Sequence, residues 1–191
     1  SSDCAPMLTL VMALAVAKGI RQTLRRDSEE AAAKVGIKWP NDIVVDGKKV
    51  CGILTEMSME QGYIQHIVIG VGINVRKQEF PEEIRDRAAA IDEQCGFRIS
   101  RSQLIADIME AFEEDYEIFL RTHDLKGLRA SYAELLVNQD REVCVLDPKG
   151  EYRGIARGIN DQGELLVERQ DGTVEEVYAG EVSVRGIYGY V

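Results

Sequence analysis

Apolar positions recur at helical spacing near the start of the chain, where Met7, Leu10, Val11, Leu14, Val16, Ala17 and Ile20 share one face. Pro6 suits a first helical position, and Arg21, Arg25 and Arg26 close the run where cations meet the negative end of the helix dipole. The spacing predicts a helix over 6–26. A polar stretch, DSEEAAAK, then leads to Gly36, and from Val35 to Val75 the pattern becomes that of strands. VGIKW reads as a strand broken by Pro40. IVVD and KKVCGILTEMSM flank Asp46-Gly47, a two-residue hairpin signal, and YIQHIVIGVGINV follows a turn at Gln61-Gly62. Its centre, IVIGVGI, is apolar at consecutive positions, which predicts a strand covered on both faces and central in its sheet. No helix separates these strands, so they form a meander.

Helical patterning returns with PEEIRDRAAAIDEQC, opened by Pro81 and stopped by Gly96. Ser100 and Gln103 form a capping-box pattern ahead of Leu104, Ile105, Ile108, Met109, Phe112, Tyr116 and Phe119. This aromatic stripe reads as core. A further helix is predicted from near Asp124 through LRASYAELL. Beyond Asn138 come five short strand patterns, REVCVL, YRGIARGI, ELLVERQ, TVEEVY and EVSVRGI. The turns between them include Asp-Pro-Lys-Gly at 147–150, Asn-Asp-Gln-Gly at 160–163 and Asp171-Gly172, which suits a small SH3-like or OB-like barrel. The chain therefore divides near 138, into an α/β (α+β) domain over 1–138 and a small β-domain over 139–191.

Composition narrows the function classes. A formal charge of −10 argues against a protein that coats nucleic acid, which needs a basic face, but leaves room for a local basic pocket. The apolar N-terminal stretch lacks the basic leading region of a signal peptide, since Lys18 and Arg21 follow it, so a buried helix is expected and no membrane association. Cys4, Cys51, Cys95 and Cys144 include no CxxC pair, and with only His66 and His123 to join them no metal-ligand spacing arises. Free thiols in a reducing, cytoplasmic compartment are expected.

Two segments carry candidate chemistry. In KWPNDIVVDGKKVCGIL, residues 38–54, neighbouring turns could bring the ammonium groups of Lys38 and Lys49 toward one site able to neutralise a carboxylate or phosphate. Spacing alone favours the plainer reading, in which Lys48 and Lys49 are solvated hairpin residues. Trp39, the single tryptophan, could stack on a planar ligand or fill the core. In IGVGIN, residues 69–74, Gly70 and Gly72 put bare backbone on one strand face, as glycine does where a ligand or another backbone approaches closely. This is no dinucleotide fingerprint, because a third glycine and a following helix are missing. Gly52 could join the same patch, and Asn74 offers an amide at the strand end.

KWPNDIVV, KKVCGILTE and IVIGVGIN, in this order and spacing, resemble the catalytic core of biotin protein ligases, also called biotin–[acetyl-CoA-carboxylase] ligases. Toward the C-terminus GIARGINDQGELLVE and AGEVSVR resemble that family's small domain, so the resemblance covers essentially the whole chain. It implies a mixed sheet with flanking helices, similar to class II aminoacyl-tRNA synthetases and lipoate ligases, followed by an SH3-like barrel. It implies ATP-dependent activation of biotin to biotinyl-5′-AMP, then transfer to a lysine of a biotin carboxyl carrier protein, with magnesium accompanying ATP but no protein ligand assigned to it. Lys49 resembles the lysine that contacts the biotin carboxylate and the phosphoryl group. Gly52, Leu54, Gly70, Gly72 and Ile73 would shape the biotin site, and Lys38, Trp39, Asn41, Asp42 and Asn74 the ATP side.

The sequence also departs from that pattern. The arginine- and glycine-rich loop that family members carry before the first helix, folded over biotinyl-AMP, has no counterpart here, and neither does the DNA-binding domain of repressor-type members. The resemblance is therefore to a catalytic core lacking its N-terminal part, plus the C-terminal domain. An inactive fragment or biotin-binding module without turnover, and a related lipoate or octanoate ligase, are the alternatives. A carrier protein is the expected partner, nucleic acid is not, and a homodimer is left open.

Overall fold

The computed structural model describes residues 4–61, 63–147, 150–178 and 183–186. Helix α1 (Met7–Arg25) is the axis of the molecule. Val11, Ala13, Leu14, Ala15, Val16 and Ala17 are all fully buried, so it is enclosed around its circumference instead of along one stripe. On one side lies α4 (Arg101–Thr122), brought close by Gly19, where a Cβ would come within 2.7 Å of the Ile108 backbone. On the other lies an antiparallel meander of β1 (Val35–Lys38), β2 (Asp42–Val45), β3 (Lys48–Glu60) and β4 (Tyr63–Ile73), in the order β1-β2-β3-β4. Parallel pairing occurs at isolated bridges, Ile37 with Leu136 and Lys49 with Ala88. Asp46 and Gly47 both have positive φ, 51° and 74°, as a tight type I′ hairpin demands.

Along the chain, α3 (Ile91–Cys95), α4 and α5 (Arg129–Leu135) separate the strands of the two sheets. The second sheet comprises β5 (Glu142–Leu146), β6 (Tyr152–Ile159), β7 (Leu165–Glu168), β8 (Val174–Val177) and β9 (Ser183–Gly186). These strands correspond to the five short patterns and run antiparallel in the order β8-β7-β6-β5-β9. One continuous core joins the two sheets, from Leu14 and Ile43 through Leu125 to Val145 and Leu165. Gly62, Pro148, Lys149 and 179–182, which carry parts of two anticipated turns and of AGEVSVR, lie outside the described residues.

Several expectations are corrected. Strand β4 is the edge of its sheet among the described residues, not its centre, and most of its side chains are exposed. Ile67, Ile69 and Ile73 pack against the core, whereas His66, Val68, Gly70 and Gly72 on the opposite face of β4 are exposed. The helix expected from Pro81 shrinks to α3. Residues 82–87 are turns, and 87–89 pair with Lys49 through Lys49 N–H to Arg87 O (2.7 Å) and Ala89 N–H to Lys49 O (2.9 Å). Strand-edge hydrogen bonds thus override a helix-favouring alanine run. Conversely, DSEEAAAK contains a short helix, α2 (Glu29–Ala33), capped by Ser28 Oγ accepting from Ala31 N–H. The capping box is half made: Ser100 Oγ accepts from Gln103 N–H, but the Gln103 side chain turns to Asp107.

Candidate functional site

The antiparallel register builds a row across the meander. Lys38 on β1 lies opposite Asp42 on β2, Asp42 opposite Gly52 on β3, and Gly52 opposite Gly72 on β4. Directly opposed residues share a face of a sheet, and so do positions two apart along a strand. Leu54 and its partner Gly70 therefore extend the same face. Lys38 and Asp42 are buried at one end of the row, and the glycines are bare at the other.

Simple alternation would turn Lys49 to the Cys51 side. A β-bulge prevents this: Val44 pairs with Lys49 but Ile43 with Cys51, so Val50 is the extra residue. A bulge re-aims the side chains beside it. Lys49 thereby reaches the Gly52 face, where its Nζ lies 2.5 Å from Asp42 Oδ1. A Cβ on Gly52 would stand 3.2 Å from both Cε and Nζ of Lys49, so glycine leaves room for the lysine to lie across the strand. At Gly70 and Gly72 the reason is different. An added Cβ would meet only Leu54 O at 3.6 Å and Gly52 O at 3.8 Å, ordinary contacts, so internal packing among the described residues does not demand glycine at either position.

Lys49 opens into a cavity of about 370 Å³ that Cys51, Gly52, Asn74, Phe80, Ile84 and Arg87 also line. Two cationic side chains on one small cavity suit an anionic ligand. Asn74 is fixed by its N–H to Val50 O (2.7 Å), and its Oδ1 accepts from Gln78 Nε2 at 3.0 Å. Burial, with Asp42's charge adding to it, pushes the Cys51 thiol up to about 12 against the opposing pull of Lys49, so Cys51 is a wall and not a nucleophile.

The remaining expected site residues lie elsewhere. Ile73 pairs with Cys51 on the opposite face and packs on the core, away from the glycine patch. Asn41 exchanges hydrogen bonds with Ile53, Nδ2 to O at 2.9 Å and O from N–H at 2.9 Å, and lines a separate cavity of about 300 Å³ with Pro6, Thr9 and Leu54. Trp39 is 1% exposed, and its Nε1 donates to Gly163 O at 2.9 Å, beside the second sheet. Sequence patterning missed Phe80, Ile84 and Arg87, because the run around them reads as helix. The one available signal was Ala88-Ala89-Ala90, small enough for backbone to approach Lys49.

Comparison with known proteins bears on this arrangement. Residues 1–74 match the model of the biotin/lipoate A/B protein ligase family, and residues 140–185 match the biotin protein ligase C terminal domain. The bifunctional ligase/repressor BirA of Bacillus subtilis is 34% identical over 181 residues, covering 94% of this chain and 53% of that protein. A biotin–[acetyl-CoA-carboxylase] ligase of Paracoccus denitrificans is 26% identical over 156 residues, covering 78% of this chain and 65% of its own length. Among solved structures, the biotin protein ligase of Aquifex aeolicus in complex with biotin and ATP superposes with a TM-score of 0.73 at 28% identity, covering 93% of this chain and 72% of that one. The chain spans about half the length of the first curated relatives it matches, 53% in the Bacillus case. With both family segments present in order, and the lysine–aspartate–glycine row where the first of them ends, the chain belongs to the biotin protein ligase family.

Proposed function

We propose that this chain supplies the lysine-bearing part of a site that activates biotin with ATP and passes it to a carrier-protein lysine. The observation that carries the reading is the bulge that sets Lys49 on the same sheet face as Asp42, Gly52, Gly70 and Gly72. In the first step a biotin carboxylate oxygen bonds to the α-phosphorus of ATP, the α–β anhydride bond breaks, and pyrophosphate leaves with its electron pair. Two anions must meet, so a fixed cation at their junction lowers the barrier. Lys49 takes that role, held by Asp42. Arg87 adds charge from the facing turn. Gly52, Gly70, Gly72 and Leu54 give the fused biotin rings a flat, sterically open strand face. Asn74 sits on the phosphate side, and Lys38, beside Asp42 in the row, adds positive charge behind it. Asn41, Trp39 and Ile73 act through the backbone and core that hold this face. In the second step a carrier lysine amine attacks the acyl carbon of biotinyl-AMP, and AMP departs.

Magnesium would arrive with the ATP phosphates. Bound to the phosphates, it would offset part of the negative charge that the biotin carboxylate meets. The acceptor is a carboxylase carrier domain, in line with the names of relatives such as the Paracoccus ligase. A reducing, cytoplasmic setting suits the four free thiols.

Pyrophosphate release with ATP and either biotin or lipoate tests the reading. Biotin-dependent release is expected, and Lys49→Ala should reduce it by about a hundredfold or more, the scale of losing one preorganised charge stabiliser. Equal rates with lipoate would redirect the substrate assignment. Unchanged turnover in a folded Lys49→Ala protein would remove Lys49 from the chemistry.

A further inference from the structure

The tryptophan of the KWPND segment reaches out of its own sheet. Its Nε1–H···O bond to Gly163, 2.9 Å long, spans 124 residues of sequence and ends in the turn between β6 and β7. That turn is built to hold still. Asn160 Oδ1 accepts from the N–H groups of Gln162 and Glu164, both at 3.0 Å, and Gly163 N–H returns to Asn160 O at 3.1 Å. Asp161 ties the turn to the α4–α5 region, accepting Leu125 N–H on its carbonyl (2.8 Å) and Arg129 Nη1 on its carboxylate (2.6 Å). Gly163 has φ +84°, and a Cβ there would stand 2.8 Å from Leu125 Cδ1 and 2.9 Å from Leu10 Cδ2. Only glycine presents its carbonyl to Trp39 from this position without strain.

The geometry points to the 160–164 turn as a positioning element for the lysine–aspartate row, acting through Trp39. The chain of contacts is short. Trp39 follows Lys38 and precedes Asn41, whose reciprocal bonds to Ile53 bracket the Asp42–Gly52 pair against which Lys49 lies. A rigid anchor at Trp39 fixes the path of this segment, and hence the placement of two lysines and one carboxylate, from a separate sheet. Supporting groups that lock a site's own residues are what precise charge placement requires. The kinetic part of this inference rests on the activity proposed above, whereas its structural part does not.

Two variants test it in the full chain. Trp39→Phe keeps an aromatic ring and removes the N–H donor, while Gly163→Ala displaces the acceptor and leaves Trp39 as a fluorescent reporter. Amide exchange is measured at Ile53 N–H, which bonds to Asn41 O, and at Leu104 N–H in α4 as reference. Trp39→Phe should speed exchange at Ile53 by about tenfold relative to Leu104, a local loosening rather than a global one. In pyrophosphate release, kcat should fall about tenfold while KM for biotin stays within about twofold, the signature of lost transition-state positioning. In Gly163→Ala the Trp39 emission should shift to the red. Equal exchange at both amides, with kcat unchanged in a folded Trp39→Phe protein, overturns the inference and leaves Trp39 as core filling. A wild-type chain that releases no pyrophosphate counts against the proposed activity, and the exchange ratio then decides the positioning role by itself.

Discussion

At the scale of single residues, glycines with the same spacing serve different ends. Gly52 makes way for the Lys49 side chain, whereas at Gly70 and Gly72 an added Cβ would make only ordinary contacts. Gly70→Val therefore separates folding from binding. Valine favours strands, and its Cβ meets nothing nearer than Leu54 O at 3.6 Å, so the melting temperature should hold or rise slightly. Biotin affinity should fall at least about a hundredfold, because the branched side chain occupies the face on which the rings would lie. Calorimetry with biotin beside a thermal melt reads both, and binding that survives in the folded variant removes Gly70 from the ring site. The importance of these residue types was legible in the sequence, since lysines, an Asn-Asp pair and paired glycines are costly choices in ordinary strands. Their convergence was not. It depends on Val50 being the bulged residue, and alternation counted without the bulge sends Lys49 to the wrong face.

Elements show the same division between patterns that are local and outcomes that are not. The Asp46-Gly47 hairpin and the Gly96 helix stop were legible because the residues that need positive φ sit at the turns themselves. The apolar run of β4 states what the strand must meet, not which described element meets it, so burial on both faces did not follow. The 82–87 turns were lost to a helix pattern because pairing with Lys49 is a tertiary interaction. Packing of α1 on α4 allows a sharper test, since α4 buries two acids of opposite character. Burial opposes ionisation of Asp107, but hydrogen bonds from Arg26, Thr23 and Gln103 outweigh it and hold the carboxyl at about 2 against an ordinary 3.8. Asp115 is governed by burial, which raises it despite Lys18 at 2.5 Å. An acid depressed in the fold stabilises above its unfolded value, and loses that contribution as pH falls through its folded value. A raised acid instead costs stability once pH exceeds its unfolded value. At pH 7 Asp107→Asn should cost about 1–2 kcal/mol, discounted because Arg26 is 44% exposed, whereas Asp115→Asn should cost less than about 1 kcal/mol. Urea midpoints taken down the acid range check the sign, since the Asp107→Asn penalty must shrink between about pH 4 and pH 2. A penalty independent of pH would mean that the network contributes packing and not charge.

At the scale of the whole molecule, turn spacing and strand patterning mark two sheets with a break near residue 138, but the apolar core does not observe that break. Leu10 and Leu125 pack where Gly163 approaches, Val137 N–H bonds to Ile37 O at 2.9 Å, and Trp39 is bonded from the far side. Local periodicity reports the edges of elements and is silent on which apolar faces share one interior. A core that crosses the boundary should make the two sheets unfold as one cooperative unit. Fluorescence of the single tryptophan, which reports the join between them, should therefore follow the same denaturant curve as far-ultraviolet circular dichroism, which reports both sheets and the helices. A chain ending at residue 138 should lack the Trp39 acceptor and the cover over Leu10 and Leu125, and should show red-shifted emission with no cooperative transition. Two separated transitions in the whole chain, or a 1–138 fragment that unfolds cooperatively with Trp39 still shielded, would establish independent domains. The carbonyl of Gly163 would then be a convenience of packing, and the lysine–aspartate row would owe its placement to the meander alone.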